Sequence, residues 1–402
     1  MSKIYSLKGK IQNYAWGGQE YIPQLLNITA EDKPYAEYWM GAHVNAPALV
    51  SGSEGEETLD GLIAKDLMGS LGSAIASKFG RLSFLFKVLD VKDMLSIQVH
   101  PTKVEAEKGF ARENEQGIPL NAPHRNYKDD NHKPEIMVAL SEFWLLHGFL
   151  PEDQLVAVLQ NTPAFEGLEG VFATGGYRAL YQHVMELSDD ESNTMLQPLV
   201  DRILPLYRAG ELDKSSPDYW AAKAVDTATE VGALDRGIYS IYFFNIVKAE
   251  QGQAVFQGAG IPHAYLEGQN MELMANSDNV LRGGLTPKHV DVPELLKHVE
   301  FKATHPQLLS GELQADGLER IYVSPAPDFQ LSKIDLGSND IYQMTGQTAE
   351  ILIVLDGEAE VKEDGKVLTL GRGEAAFVLA GANYQITTKS TATLYKASAP
   401  VD

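Results

Sequence analysis

The stretch Leu82–Pro101, LSFLFKVLDVKDMLSIQVHP, decides the fold. Its first half is an almost unbroken apolar run, the mark of a strand buried within a sheet. Its second half alternates, with Ile97 and Val99 on one face and Ser96, Gln98 and His100 on the other. The apolar pair reads as core. The polar row must be directed at something else, because amide and imidazole groups inside a protein need partners.

Outward from this stretch the chain changes texture twice. Residues 1–150 read mostly as β, with PEIMVAL (Pro134–Leu140) a further apolar strand. A helical signal interrupts at TKVEAEKGF, where Thr102 and Glu105 have capping-box spacing. Residues 151–235 turn helical. EDQLVAVLQ, GYRALYQHVMEL, TMLQPLVDRILPLYRAG and PDYWAAKAVDTATEV all repeat apolar residues every three or four positions. Ser188 with Glu191, and Ser216 before Pro217, mark two helix starts. From Ile238 the β texture returns and lasts to the end, apart from a helix near DVPELLKHV.

This later region contains an internal repeat. GQAVFQGAGIPH (Gly252–His263) aligns without gaps on GEAAFVLAGANY (Gly373–Tyr384), matching Gly252, Ala254, Phe256, Ala259 and Gly260 to Gly373, Ala375, Phe377, Ala380 and Gly381. A strand that leaves through a small-residue turn suits the corner of a small β-barrel. Where the first copy has His263 the second has Tyr384, so a metal is expected at the first alone.

The 402 residues leave room for two or three domains and a large core. No window reaches the roughly 18 apolar residues of a membrane span, and MSKIYSLKGKIQNYAWGG lacks a signal peptide's apolar core. With no cysteine, thiolate metal sites and disulfides are excluded, which fits a reducing cytoplasm. The formal charge of −22, from 33 basic against 55 acidic residues, argues against a nucleic-acid partner. An anionic ligand would require local cations set against that field.

Two other places offer partners for Gln98 and His100. Glu135 opens an apolar strand, where a bare carboxylate is costly to bury, and His263 follows a glycine-rich turn and a proline that fix the backbone. Gln98, His100, Glu135 and His263 would give an amide oxygen, two imidazoles and a carboxylate, a donor set suited to one zinc ion with room for water or substrate. Such a site keeps a charge of about +1, which suits polarising a carbonyl. The plainer alternative is two separate core histidines hydrogen-bonded to backbone.

NYAWGG, AEYWMGAH, LSFLFKVLDVKDMLSIQVHP, NYKDDNHKPE and above all IPHAYLEGQNMELMANSDNVLRGGLTPKHVD resemble the type I phosphomannose isomerase family over nearly the whole chain. The resemblance implies a mainly β fold of two cupin-type jelly-roll barrels with an α-helical domain. Residues 1–150 and 236–300 would form the catalytic cupin, 151–235 the helical insertion, and 301–402 a second cupin-like domain without metal. It implies zinc-assisted interconversion of mannose 6-phosphate and fructose 6-phosphate through a cis-enediol, linking mannose metabolism and GDP-mannose supply to glycolysis. The zinc ligands would be Gln98, His100, Glu135 and His263. Trp16, Ser96, Lys133, Arg282 and Lys288 would bind substrate. Catalytic roles would fall to Arg282, His132, Lys133, Glu272 and Asp278, among which the sequence does not choose a base. A monomer is expected, a dimer being the alternative. Val44 after His43, and WLLHGF at Trp144–Phe149, depart from the family pattern at positions that hold no expected ligand. Two other readings compete: a non-haem metal dioxygenase, built on two histidines and a carboxylate, and a non-catalytic sugar-phosphate-binding cupin.

Overall fold

The computed structural model describes residues 2–52, 55–228 and 233–401. Their strands pair antiparallel in a ten-stranded and a twelve-stranded sheet. The strand Phe84–Val91 is buried at all eight positions because both its faces are covered. Phe84, Phe86 and Val88 join a core shared with Ile351, Ile353 and Phe377 of the other sheet. Leu89 and Val91 look the opposite way, into a core of their own with Met137 and Tyr265. Lys87 shares that second face by alternation and is 6% exposed.

The repeat extends well beyond the turn that revealed it. The strands Ala254–Gln257 and Ala375–Val378 are followed by Gly260 and Gly381, both at positive φ (+81° and +69°), where glycine alone is unstrained. Gln257 stands opposite Glu135, and Val378 opposite Glu350. Glu37 stands opposite Leu89, and Glu319 opposite Ile334. Lys87 stands opposite Glu272, and Ser332 opposite Lys396. Position by position, Glu319, Ser332, Lys396 and Glu350 therefore occupy the slots of Glu37, Lys87, Glu272 and Glu135. Tyr384, in the slot of His263, donates its hydroxyl to Glu350 at 2.6 Å.

The helices interrupt this pattern at one corner. Phe244 pairs with Phe149, so the chain leaves the sheet after Phe149 and re-enters beside it at Phe244. The corresponding connection in the other half is the turn Asp364–Gly365, both at positive φ, between paired Glu363 and Lys366. Between Phe149 and Phe244 run the helices Glu152–Asn161, Leu168–Glu186, Asp189–Arg208, Pro217–Asp226 and Gly237–Phe243, packed on Trp220, Phe165, Tyr181 and Phe149. Ser188 and Glu191 complete a capping box, and Ser216 caps the helix that Pro217 begins. The end of the helical stretch expected up to Val231 falls at 229–232, outside the described residues. Thr102 caps the helix Lys103–Glu115.

Two features differ from the sequence reading. Only Gln98 and Val99 of the alternating stretch join the ladder. Ile97 is held instead by exchanging hydrogen bonds with Gly283 and Gly284, which lets His100 turn fully inside. The N-terminal strand Ile4–Lys8 pairs with Ala375–Val378 in the sheet of the C-terminal half. No described helix is long and apolar enough to cross a membrane.

Candidate metal centre and substrate cleft

Register builds the site. His147, His263, Gln98 and Arg282 stand opposite one another on four neighbouring strands, Phe143–Phe149, His263–Ala275, Gln98–Val99 and Leu281–Arg282. Residues paired in this way project from the same face of a sheet. Glu135, at the start of its strand, reaches the same space. His100 Nε2 lies 3.4 Å from one Glu135 oxygen and His263 Nε2 lies 3.4 Å from the other, with the rings 5.0 Å apart.

The outer nitrogens explain the orientation. His100 Nδ1 is 2.9 Å from the carbonyl of Asn279, and His263 Nδ1 is 2.9 Å from that of Ile261. A ring that donates from Nδ1 keeps its lone pair on Nε2. Both Nε2 atoms are buried and have no hydrogen-bond partner among the described residues. Unsatisfied buried polar atoms are rare in native proteins, and here two converge with a carboxylate within 4.8 Å. That geometry fits a metal ion, with the outer hydrogen bonds fixing each ring. Burial, opposed by Glu135, lowers the His100 pKa to about 4, so the ring is neutral as a ligand must be. Burial would raise the Glu135 pKa, but Lys133 and His100 outweigh it and hold the carboxyl well below its usual range. Gln98 lines the same cleft beside His263.

Lys87 is the residue the sequence reading passed over. It sits 2.9 Å from Glu272 and 3.5 Å from Glu37, beneath the ring of Trp39, whose indole N–H is held by Glu37. Burial disfavours its charge, yet Glu272 and Glu37 prevail and hold its pKa above the ordinary lysine range. Glu272 itself is raised by burial, against the pull of Lys87. A lysine in the middle of FLFKVL was the available signal, since a buried ammonium needs carboxylates. Glu37, Tyr265 and His147 were missed with it. Burial and the nearby His263 lower the His147 pKa to about 4.

The remaining expected residues scatter around this centre. Lys133 lines the cleft, 3.3 Å from Glu135. Asp278 pairs with His43 at 3.2 Å and titrates low, burial being overcome by that partner. His132 lies 2.8 Å from Asp328, a buried residue of the C-terminal half. Trp16 packs against the core around Leu89 and Val91 and stacks on Tyr14, and neither it nor Ser96 lines the cleft. Arg282 and Lys288 have no ion-pair partner among the described residues. Partial burial lowers both pKa values, and for Lys288, at the exposed side, the charge of Arg282 adds to it.

The family model for the catalytic domain of type I phosphomannose isomerase matches residues 4–152. The chain is 37% identical over 381 residues to the mannose-6-phosphate isomerase of Shigella flexneri, covering 94% of this chain and 95% of that one. It belongs to the type I phosphomannose isomerase family. The human mannose-6-phosphate isomerase is 34% identical, with 97% and 96% covered. A solved structure of mannose 6-phosphate isomerase from Salmonella typhimurium, bound to substrate and a zinc atom, matches with a TM-score of 0.89, at 34% identity and over 100% of both chains. In this family member, then, the buried His–Glu–His cluster draws His100 and Glu135 from the region matched to the catalytic domain and His263 from beyond it.

Proposed function

We propose that this chain is an aldose–ketose isomerase that interconverts mannose 6-phosphate and fructose 6-phosphate. The observation that carries the reading is the pair of partnerless buried Nε2 atoms facing Glu135, next in register to an unpaired arginine. Gln98, His100, Glu135 and His263 would hold one zinc ion. Bound there, zinc would supply Lewis-acid compensation of charge on the sugar oxygens.

The chain's own groups divide the remaining work. Arg282 and Lys288, two cations without an ion-pair partner among the described residues of an acidic protein, attract the phosphorylated substrate, and Arg282 also offsets charge near the reacting carbons. The reaction moves one hydrogen between C1 and C2 of the open-chain sugar, through a cis-enediol, with a matching proton shift between the oxygens. A general acid–base for this step works best with a pKa raised toward neutrality. Glu272 lines the cleft and is shifted in that direction, whereas Asp278 is shifted away from it. Lys87, kept as an ammonium, serves as a proton donor or fixed charge rather than a base. Lys133, at the cleft wall, contacts the substrate in this proposal, Trp16 and Ser96 would reach it only from outside that wall, and His132 is anchored by Asp328.

The paired registers support two cupin-type barrels, the first split by the helical insertion and the second metal-free. The second would borrow Ile4–Lys8 as a strand. A monomer in the cytoplasm is the setting proposed. Two histidines and a carboxylate would also suit a dioxygenase, but the Gln98 amide and the Lys133 ammonium beside them favour the isomerase. A coupled assay on mannose 6-phosphate tests the function directly. Turnover should vanish with chelator and return with zinc, and His100→Ala and His263→Ala should each lose metal and activity together. Full zinc occupancy in the double variant would refute the site.

A further inference from the structure

We propose that Asp129 and Asn279 are positioning residues, which clamp two loops together so that the Asn279 carbonyl fixes the ring of His100 for metal binding. The inference rests on the zinc reading above. The loop 276–279 carries Asp278 and leads to Arg282, while the loop 128–131 leads directly into His132, Lys133 and Glu135.

Asn279 is 1% exposed, and its side chain is used in full. Its Oδ1 accepts from the backbone N–H groups of Lys128 (2.7 Å) and Asp129 (3.3 Å). Its Nδ2 donates to the carbonyls of Asp129 and Asn131, both at 2.8 Å. The Asp129 carboxylate closes the clamp from the other loop. It accepts from the Asp278 N–H at 2.7 Å, the Ser277 hydroxyl at 2.8 Å and the Asn131 N–H at 2.9 Å. What this network orients is the Asn279 backbone carbonyl, the partner of His100 Nδ1. His100 lies outside the ladder and is fully buried, so this contact sets both its tautomer and its ring plane. The same clamp fixes the approach of Glu135, the second ligand, through the chain that follows Asn131. The side chains of Asp129 and Asn279 do not line the cleft. They act through backbone.

The test measures zinc affinity by chelator competition, with the melting temperature of the metal-free protein beside it. Loss of an outer hydrogen bond to a metal-bound histidine weakens binding about 10–100-fold. Asp129→Ala and Asn279→Ala should fall in that range, and Ser277→Ala, which removes one member of the clamp, by less. Asn279→Asp keeps the volume but loses both donors and sets a carboxylate against Asp129, so it should bind zinc no better than Asn279→Ala. In the metal-free parent, nitrogen NMR of His100 should report hydrogen on Nδ1, and in Asp129→Ala a mixture of tautomers. Parent-like zinc affinity in Asn279→Asp, or variants that melt lower yet bind zinc normally, would overturn the proposal. A parent protein that binds no zinc would instead overturn the metal site itself.

Discussion

Lys396→Met should destabilise the C-terminal half while leaving the chemistry alone. Lys396 is buried in the slot that corresponds to Glu272, with its ammonium 2.8 Å from Glu319, 2.7 Å from the Tyr342 hydroxyl and 3.9 Å from Glu350. The side chains of Lys396, Glu319 and Glu350 are only 1%, 8% and 2% exposed. Removing one partner from a buried ion pair costs about 3–5 kcal/mol, because the remaining charge stays desolvated. At ~2 °C per kcal/mol for a large chain, the melting temperature should fall by roughly 6–10 °C. The loss should also depend on pH. Burial already raises the Glu350 pKa, with Lys396 pulling it back, so without Lys396 it must climb further. A carboxyl whose folded pKa exceeds its unfolded one weakens the native state above both values and not below them. The deficit should therefore be full near pH 8 and shrink toward pH 4. Tyr342 and Tyr384, the other titratable groups facing the cluster, are pushed upward by burial and by Glu319 or Glu350, and stay neutral across that range. Adding Glu319→Gln and Glu350→Gln should restore most of the lost stability, since the stranded charges are then gone. Scanning calorimetry at pH 5 and pH 8, with the coupled assay as control, decides it. If the single variant melts within 2 °C of the parent at pH 8, or the triple variant melts no higher than the single, the ammonium does not hold this half of the chain together.

Arg282→Ala should chiefly lower kcat and Lys288→Ala chiefly raise KM, because the arginine lies opposite Gln98 and the lysine lies in the exposed loop beyond it. Losing one charge-assisted contact costs about 1.5–3 kcal/mol, so steady-state kinetics should show about tenfold to hundredfold effects with zinc content unchanged. Gly373→Ala should destabilise more than Gly365→Ala, as thermal melts would show. Both glycines have φ near +80°, but a Cβ at Gly373 would lie 2.0 Å from the Leu25 carbonyl oxygen, while one at Gly365 meets nothing within 4 Å. Equal losses would mean that the backbone there yields freely.

What the sequence made legible follows from the range of its signals. Strand alternation and the turn before His263 are local, so His100, Glu135 and His263 could be gathered from their own neighbourhoods. The helices between Phe149 and Phe244 announced themselves through caps and spacing in the same way. Lys87 was hidden because the run around it reads as apolar on average, although a charge in a doubly covered strand carries more information than the apolar residues beside it. The adjacency of Arg282 to Gln98 depends on the register of several strands, which no periodicity encodes. Glu319, Lys396 and Glu350 escaped for a related reason. The repeat was visible as small residues around one turn, while the charged slots it duplicates have exchanged residue types between strands.

The pairing of Ile4–Lys8 with Ala375–Val378 has a consequence for synthesis. Ser2 and Lys3 reach Glu363 in the same corner, and Ser2 is 361 residues from that partner. At ~5–20 residues per second, the ribosome delivers that partner roughly 20–70 s after the strand emerges. The strands around His100, Glu135 and His263 are all made earlier and can assemble meanwhile, but the nascent chain must carry an unpaired edge with Ile4 and Leu7 uncovered. Such an edge is a template for pairing with other chains. Ribosomes stalled late in this message should therefore yield products that recruit chaperones through their first ten residues, long after the metal-binding half has closed.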